Sequence, residues 1–194
     1  MSTRVVHGAG AGEAARRMMP TLPGSCFAEA GPDGLGAAVE QAVADGIERF
    51  VLVTGLGEQA AFLGGGSGLA GVLDSITLDM DGGAALAAEV ADAPTPRHAY
   101  ELWESAGRLG PCGRELCRRT AGELERLAAA AAGTSASPVA AQVVLVDAEG
   151  ERMVGMYGRM SRSPARSDVG GTTPHTPRNS SVGGGADHAD GRRP

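Results

Sequence analysis

Residues 25–55, SCFAEAGPDGLGAAVEQAVADGIERFVLVTG, decide the fold class, because they have the pattern of a strand, a turn, a helix, a turn and a strand. The apolar run Cys26–Ala28 precedes the turn residues Gly31–Gly34. Apolar residues then recur at the spacing of one buried helix face: Leu35, Ala38, Val39, Ala42 and Val43. Gly46 suits a left-handed helix cap, and the unbroken apolar run Phe50–Val53 is typical of a strand covered on both faces. We therefore predict a parallel βαβ unit and an α/β fold with a mostly parallel sheet and flanking helices.

Segments further along the chain add elements to this unit. Ser75–Leu78 is predicted as a further strand, and Pro96–Ala132 as helix with a break near Gly107–Gly113. Gln142–Val146 and Arg152–Tyr157 flank a turn and are predicted to form a β-hairpin. This hairpin would give the sheet an antiparallel edge.

The composition changes beyond Ser161 to serine, proline, glycine, threonine and arginine, with almost no apolar residue larger than valine. Such a segment cannot bury enough apolar surface to offset the entropy cost of folding. We therefore predict one α/β domain over residues 1–160 and a disordered tail over residues 161–194.

The charged residues exclude several classes of function. All 17 basic residues are arginines, so mechanisms that need an amine, such as a Schiff base or a P-loop lysine, are excluded. The net charge of −6 and the pI near 5.2 argue against nucleic-acid binding, which requires a basic face. A small-molecule ligand is the expected partner, and a homodimer is left open.

The N-terminus MSTRVVHGAG lacks a basic region followed by an apolar core, and no apolar stretch approaches membrane-spanning length. We expect a cytoplasmic protein without a membrane anchor. Cys26, Cys112 and Cys117 are too few for a disulfide framework, and the last two have a poor spacing for structural zinc. We interpret Cys112 and Cys117 as reduced thiols on or near a helix.

A glycine loop follows the first predicted strand, Arg4–Val6, and leads into a helix that begins at Glu13. A strand, a glycine loop and a helix in this order present backbone N–H groups to an anion, so Gly8, Gly10 and Gly12 are candidate ligand-binding residues. The loop also invites comparison with the dinucleotide fingerprint G-x-G-x-x-G, with Glu29 about 20 residues on as the ribose-binding acid. However, Glu13 stands where the motif needs its last glycine, so this alternative is less favoured.

The segment Ile76–Gly82 resembles the first motif of haloacid-dehalogenase-like phosphatases, a strand that ends in Asp-x-Asp-Gly. That resemblance implies Asp79 as a nucleophile and Asp79 and Asp81 as magnesium ligands. The alternative is that the two aspartates simply form a turn, which is the commoner role of such clusters.

Residues from Arg4 to about Ile76 resemble the class II chelatases, which insert cobalt or iron into sirohydrochlorin-type tetrapyrroles in cobalamin or siroheme biosynthesis. The features shared with that family are a strand ending in His-Gly, a Phe-x-Glu segment followed by proline, a Gly-x-x-Arg turn, a valine-rich strand and a Phe-Leu-x-x-Gly loop. The matching residues are His7-Gly8, Phe27, Glu29, Pro32, Gly46 to Arg49, Val51 to Val53 and Phe62-Leu63-Gly64.

This resemblance implies a site for metal insertion with cobalt or iron as the candidate metal. His7 is the implied metal ligand and Glu29 the catalytic acceptor of the pyrrole protons. Glu58 would substitute for the family's second histidine, which has no counterpart between His7 and His98. Because all three residues follow parallel strands, we expect them to lie at the carboxyl edge of the sheet.

Each of these residues also has a structural interpretation that stays open. His7 would be a loop histidine bonded to a backbone group, Glu29 a solvated turn carboxylate, and Glu58 a residue in the first turn of a helix. The rival function is accordingly a non-enzymatic α/β module whose glycine loops bind a small ligand.

Overall fold

The computed structural model describes residues 2–65 and 68–158, and within these ranges it contains five strands and seven α-helices. The strands are β1 (Thr3–His7), β2 (Phe27–Glu29), β3 (Arg49–Thr54), β4 (Ala140–Val146) and β5 (Met153–Tyr157). The helices are α1 (Gly12–Met18), α2 (Leu35–Ala44), α3 (Leu56–Gly64), α4 (Gly68–Asp79), α5 (Gly83–Ala91), α6 (Pro96–Ser105) and α7 (Leu109–Ala132).

The five strands form one sheet in the order β2-β1-β3-β4-β5. The first four strands are parallel, and β5 is antiparallel to β4. The predicted α/β class, the parallel βαβ unit and the antiparallel hairpin edge are therefore confirmed. Because β3 lies at the centre with neighbours on both sides, its unbroken apolar run is buried from Phe50 to Val53.

The two faces of the sheet are covered differently. One face, which carries Phe50 and Leu52, packs against α2 to α7, and we call it the helical face. The other face, which carries Val51 and Val53, packs against the small residues of the short helix α1, and we call it the α1 face. Strand alternation sends successive residues of β3 to opposite faces, so both faces contribute to the core.

The predicted strand Ser75–Leu78 is wrong, because these residues belong to helix α4. Ile76 and Thr77 are buried against the helical core, and the Thr77 hydroxyl donates to the Leu73 carbonyl at 2.7 Å, one helical turn earlier. Tertiary packing therefore overrides the β preference of the β-branched pair.

The phosphatase motif loses its structural context for the same reason. Asp79 ends a helix instead of a strand, and its carboxylate pairs with Arg119 at 2.5 Å. Asp81 lies in the turn after the helix, with a φ of +56°. The turn interpretation of these aspartates fits the structure, and the phosphatase resemblance is not supported.

The long helical prediction over residues 96–132 is confirmed as α6 and α7, separated by a short break at residues 106–108. The predicted tail over residues 161–194 lies outside the described residues. Within the described ranges, no single helix is long and apolar enough to cross a membrane. The bent pair α3 and α4 passes that test jointly, by length and composition alone.

Candidate functional site

A cleft of about 230 Å³ opens at the carboxyl edge of the sheet, where ligands bind in open α/β folds. Three loops that follow β1, β3 and β4 form its walls, and the first turns of α6 close its remaining side. Its lining residues are Ala9, Gly10, Ala11, Gly55, Leu56, Gly57, Glu58, Pro96, Arg97, Tyr100, Val146, Asp147, Ala148, Glu149 and Gly150.

A buried amide fixes the strand ends beneath this cleft. Gln59 of α3 is fully buried, and its Nε2 donates to the Val144 carbonyl at 3.3 Å and to the Thr54 carbonyl at 3.4 Å. Its Oε1 accepts a hydrogen bond of 3.3 Å from the Thr120 hydroxyl of α7. Because a buried amide costs free energy unless it is bonded, this network holds β3, β4, α3 and α7 in one arrangement.

Glu58 forms one wall of the cleft as a carboxylate bridge. Its Oε1 accepts from the Ala9 N–H at 3.0 Å, and its Oε2 accepts from the Gly55 N–H at 3.3 Å. A Cβ at position 8 would lie 1.9 Å from Glu58 Oε2, so only glycine leaves room for this carboxylate. Glu58 therefore ties the loop after β1 to the start of α3, as a first-turn glutamate does in a capping box. A role as metal ligand stays a prediction.

His7 lies at the end of β1 on the α1 face, buried beside Gly12 rather than in the cleft. Its Nδ1 is 3.1 Å from the Gly8 carbonyl oxygen. That oxygen can only accept, so this contact is a hydrogen bond when the proton is on Nδ1, which leaves the lone pair on Nε2. The structural interpretation of His7 as a residue bonded to backbone fits this geometry.

Glu29 ends β2 directly beside His7, since the parallel register pairs the two residues. Glu29 is exposed, and it does not line the cleft. The structure thus brings His7 next to Glu29, and it brings Glu58 next to Gly8. Among the described residues, no group of three His, Cys, Asp or Glu side chains is placed to hold a metal ion. The roles of His7 as metal ligand and of Glu29 as proton acceptor stay predictions.

The three candidate glycines differ in their surroundings. Gly10 lines the cleft, with no heavy atom within 4 Å of the position a Cβ would take. Gly8 is packed against Glu58, and Gly12 against the His7 ring, where a Cβ would lie 2.9 Å from Cε1. Gly10 is therefore the one of these three glycines with backbone open to a ligand.

Sequence reasoning missed the residues that α6 and the β4–β5 turn contribute. Arg97 of α6 reaches across to the turn, with its Nη2 3.1 Å from Glu149 Oε1. Its Nε donates to Glu101 Oε1 at 3.1 Å. Both sides of this crossing lie more than 80 residues after the glycine loop that ends at Gly12, so no local motif indicated them.

Tyr100 lies about one turn after Arg97 in α6, and it is 7% exposed. Burial raises the pKa of its hydroxyl, the nearby Glu104 carboxylate adds to the rise, and Arg152 opposes it. Tyr100 is therefore a neutral hydroxyl at neutral pH, and it can donate or accept a hydrogen bond at the cleft floor.

The β4–β5 turn is held rigid by Asp147. Its Oδ1 accepts from the Glu151 N–H at 2.8 Å and from the Arg152 N–H at 3.1 Å. Burial opposes ionisation of this carboxyl, but these N–H donors and the Arg152 charge lower its pKa overall. Gly150 has a φ of +71°, and a Cβ there would lie 2.8 Å from the Gly10 carbonyl oxygen. The turn is thus packed directly on the glycine loop.

The two cysteines of α7 take no part in the site. Burial raises the pKa of Cys112 to about 11 and that of Cys117 to about 12. Both are free and buried, so they are protonated, unreactive thiols. This agrees with their interpretation from the sequence.

Curated proteins with a named activity resemble this chain. It is 41% identical over 158 residues to the cobalt-precorrin-5B C(1)-methyltransferase of Salinispora tropica, an alignment that covers 77% of this chain and 39% of the relative. The protein of the same name from Salinispora arenicola is 40% identical over 157 residues, covering 76% of this chain and 39% of the relative. The protein of the same name from Rubrobacter xylanophilus is 38% identical over 127 residues, an alignment that covers 61% of this chain and 32% of the relative.

The chain thus spans about two fifths of the length of the Salinispora relatives that it matches, as the coverage of 39% shows. No protein-family model matches the chain. No solved structure matches it significantly. The expected link to a cobalt-containing tetrapyrrole agrees with the names of these relatives. The expected chelatase family does not agree with these names, because they describe methyl transfer instead of metal insertion.

Proposed function

We propose that this chain takes part in methyl transfer to a cobalt-containing tetrapyrrole. The observation that carries the proposal is the 41% identity to a cobalt-precorrin-5B C(1)-methyltransferase across 77% of the chain. In this proposal cobalt arrives inside the substrate, so the protein needs no metal site of its own. Glu29, His7 and Glu58 then have structural or positioning roles instead of roles in metal insertion.

The named reaction sets simple chemical requirements. A carbon nucleophile of the ring attacks an electrophilic methyl group, such as that of a sulfonium donor. The new C–C bond uses the electron pair of the ring carbon, while the breaking C–S bond returns its pair to sulfur and leaves a thioether. The protein contributes mainly by aligning the two reactants, which alone can supply several kcal/mol of rate acceleration, on the order of 7–11 kcal/mol at most.

The cleft fits one part of this reaction. Its volume of about 230 Å³ lies below the ~300–1,000 Å³ typical of sites for drug-sized ligands. A whole macrocycle does not fit in that volume, whereas a methyl donor's end or one edge of the ring does. Backbone at Gly10 and Gly55, where no heavy atom lies within 4 Å of the position a Cβ would take, lets such a group approach the walls closely.

Binding without turnover is the second candidate function, in agreement with the alternative of a small-ligand module. The observation that favours it is that two carboxylates of the cleft are already engaged by backbone N–H groups, Glu58 by those of Ala9 and Gly55 and Asp147 by those of the following turn, so they hold loops in place. Methyl transfer and binding are separated by one experiment with two readouts.

The test uses the full chain with a cobalt tetrapyrrole that carries carboxylate side chains, cobalt uroporphyrin as a binding probe and a cobalt precorrin as substrate, together with S-adenosylmethionine. Binding is followed by the shift in the absorbance of the probe, and methyl transfer by the gain of one methyl group in the mass spectrum. Methylated product supports the enzyme, and an absorbance shift without product supports the binding module. No shift and no product overturn both.

Two matched variants locate the activity. Ala9 is exposed and lines the cleft, so Ala9→Trp should fill the cleft and reduce binding or turnover tenfold or more. Ala37 is equally exposed on α2 and does not line the cleft, so Ala37→Trp is the control and should leave both readouts unchanged. Equal effects of the two substitutions would remove the cleft from the proposal.

A further inference from the structure

Arg97 occupies an unusual position for a cation. It is the second residue of α6, whose N-terminus is capped by the Thr95 hydroxyl, which accepts from the His98 N–H at 3.1 Å. The partial positive charge of a helix N-terminus favours acidic residues in the first turn and disfavours basic ones. A guanidinium placed there, at the mouth of a cleft, needs partners of opposite charge.

The ion pairs that Arg97 makes are exposed to solvent. Its guanidinium is shared between Glu101 on its own helix and Glu149 on the opposite wall, and all three side chains are more than half exposed. Arg118 of α7 provides a contrast, because its Nε and Nη2 both bond to the carboxylate of Glu115 at 2.7 Å. An exposed, shared ion pair contributes little to stability, so a ligand can replace it at little cost.

The two walls that carry Arg97 and Glu149 are themselves fixed. Asp147 binds the turn from within, Gly150 packs on the glycine loop, and α6 is anchored by the fully buried Trp103. The side chains of Arg97 and Glu149 can therefore part without movement of the backbone. Both side chains line the cleft.

The other charges at this rim decide what kind of ligand fits. Glu101, Glu104, Asp147 and Arg152 line a second pocket of about 140 Å³, which shares Arg97 and Glu149 with the cleft. Asp147 is already engaged by backbone N–H groups and lies 3.7 Å from Arg152. Carboxylates thus outnumber guanidiniums, which opposes an anionic ligand and accommodates one that is neutral overall or carries a positive charge.

We propose that Arg97 and Glu149 receive the α-amino-acid end of the sulfonium methyl donor, Arg97 binding its carboxylate and Glu149 its ammonium group. The inference rests on the proposed function. An amino-acid zwitterion inserted between the two side chains gives each a new partner of opposite charge, and the acidic rim favours the neighbouring sulfonium. The cleft of about 230 Å³ also suits a group of this size better than a macrocycle.

The experiment compares two ligands that differ in the amino-acid end. S-adenosylhomocysteine has the α-amino acid, whereas 5′-methylthioadenosine has the same nucleoside and thioether without it. Calorimetry on the full chain should show at least tenfold tighter binding of the former. Arg97→Gln and Glu149→Gln should each weaken the binding of S-adenosylhomocysteine roughly tenfold and leave the binding of 5′-methylthioadenosine unchanged, since each removes a charge-assisted hydrogen bond to the amino-acid end.

The exposed pair Arg126 and Glu123 on α7 gives the control, because it does not line the cleft. Arg126→Gln and Glu123→Gln should leave both affinities unchanged. Melting temperatures of all four variants should stay near that of the wild type, and a merely structural pair would alter the melting temperature without altering discrimination between the two ligands.

The outcomes separate this inference from the proposed function. Tight binding of S-adenosylhomocysteine that is unaffected by Arg97→Gln and Glu149→Gln overturns the inference alone. Equal binding of the two ligands by the wild type does the same. If neither adenosyl compound binds, the inference fails too, and the methyl-transfer assay decides independently whether the proposed function survives.

Discussion

The helical face and the α1 face of the same sheet bury side chains of different size. The helical face buries Trp103, Phe50 and several leucines under six helices, whereas the α1 face buries valines and alanines under one seven-residue helix. Buried apolar area stabilises in proportion to its size, so most of the folding free energy should reside on the helical face. The small residues of the α1 face instead allow close approach of backbone, which the glycine loop beside the cleft requires. Three substitutions and one thiol-modification experiment test this division.

The largest effect is expected at Trp103. Its side chain is fully buried, and its indole N–H donates to the Thr77 hydroxyl at 2.9 Å, joining α6 to α4. Trp103→Ala should lower the free energy of unfolding by about 3–5 kcal/mol, through lost burial, a cavity and a lost hydrogen bond. Urea denaturation measures this value, and a loss below about 1 kcal/mol would contradict the assignment of stability to the helical face.

Val53, a fully buried residue at the centre of the sheet, tests the α1 face. Val53→Ala removes two methyl groups, which at about 0.8 kcal/mol per buried carbon predicts a loss near 2 kcal/mol. The same denaturation experiment serves. A loss as large as that of Trp103→Ala would show that the two faces contribute equally.

Glu115 tests the charged link between α7 and α4 on the helical face. The hydrogen bond from Arg118 lowers its pKa to about 2 from an ordinary 4.5, burial opposes this, and Arg119, which also binds Asp79, adds to it. Its stabilising contribution is therefore complete above pH 4.5 and is lost as the pH falls toward 2. Glu115→Gln should cost about 1 kcal/mol at pH 7, because both arginines reach solvent.

The pH dependence of that variant provides the check. Melting temperatures of the wild type should fall more steeply between pH 5 and 2, roughly the range set by the two pKa values, than those of Glu115→Gln. Glu123 is the comparison, because the hydrogen bond from Arg126 also lowers its pKa although it is more exposed than Glu115, and Glu123→Gln should flatten the profile less than Glu115→Gln does. Parallel profiles of wild type and Glu115→Gln would contradict the pKa direction.

The smallest effect is a difference in chemical reactivity among the three cysteine thiols, which involves no change in stability. Cys26 is half-buried near the α1 face, whereas Cys112 and Cys117 are buried in α7 with raised pKa values. A thiol-specific disulfide reagent at pH 8 should modify Cys26 alone in the native protein and all three thiols in urea. Rapid modification of three native thiols would show that the helical face opens readily.

Local sequence patterns were sufficient for the central unit and the hairpin. The helical spacing of Leu35, Val39 and Ala42 and the apolar run of β3 matched the observed elements. The strand prediction for Ser75–Leu78 is wrong because a short β-branched run fits both a strand and one face of a buried helix. Only packing in the core around Trp103 favours the helix. The alanine-rich helix α5 gave no distinct pattern and was not anticipated.

The candidate site divides in the same way. Sequence alone placed the glycine loop, Gly10 and Glu58 at the carboxyl edge, because residues that follow parallel strands must meet there. The absence of lysine and the negative net charge also follow from the sequence alone, because they depend only on composition. Only the tertiary structure brought Arg97, Tyr100 and Glu149 to that edge and kept His7 out of the cleft. These positions depend on contacts between residues far apart in the chain, and local periodicity carries no information about such contacts.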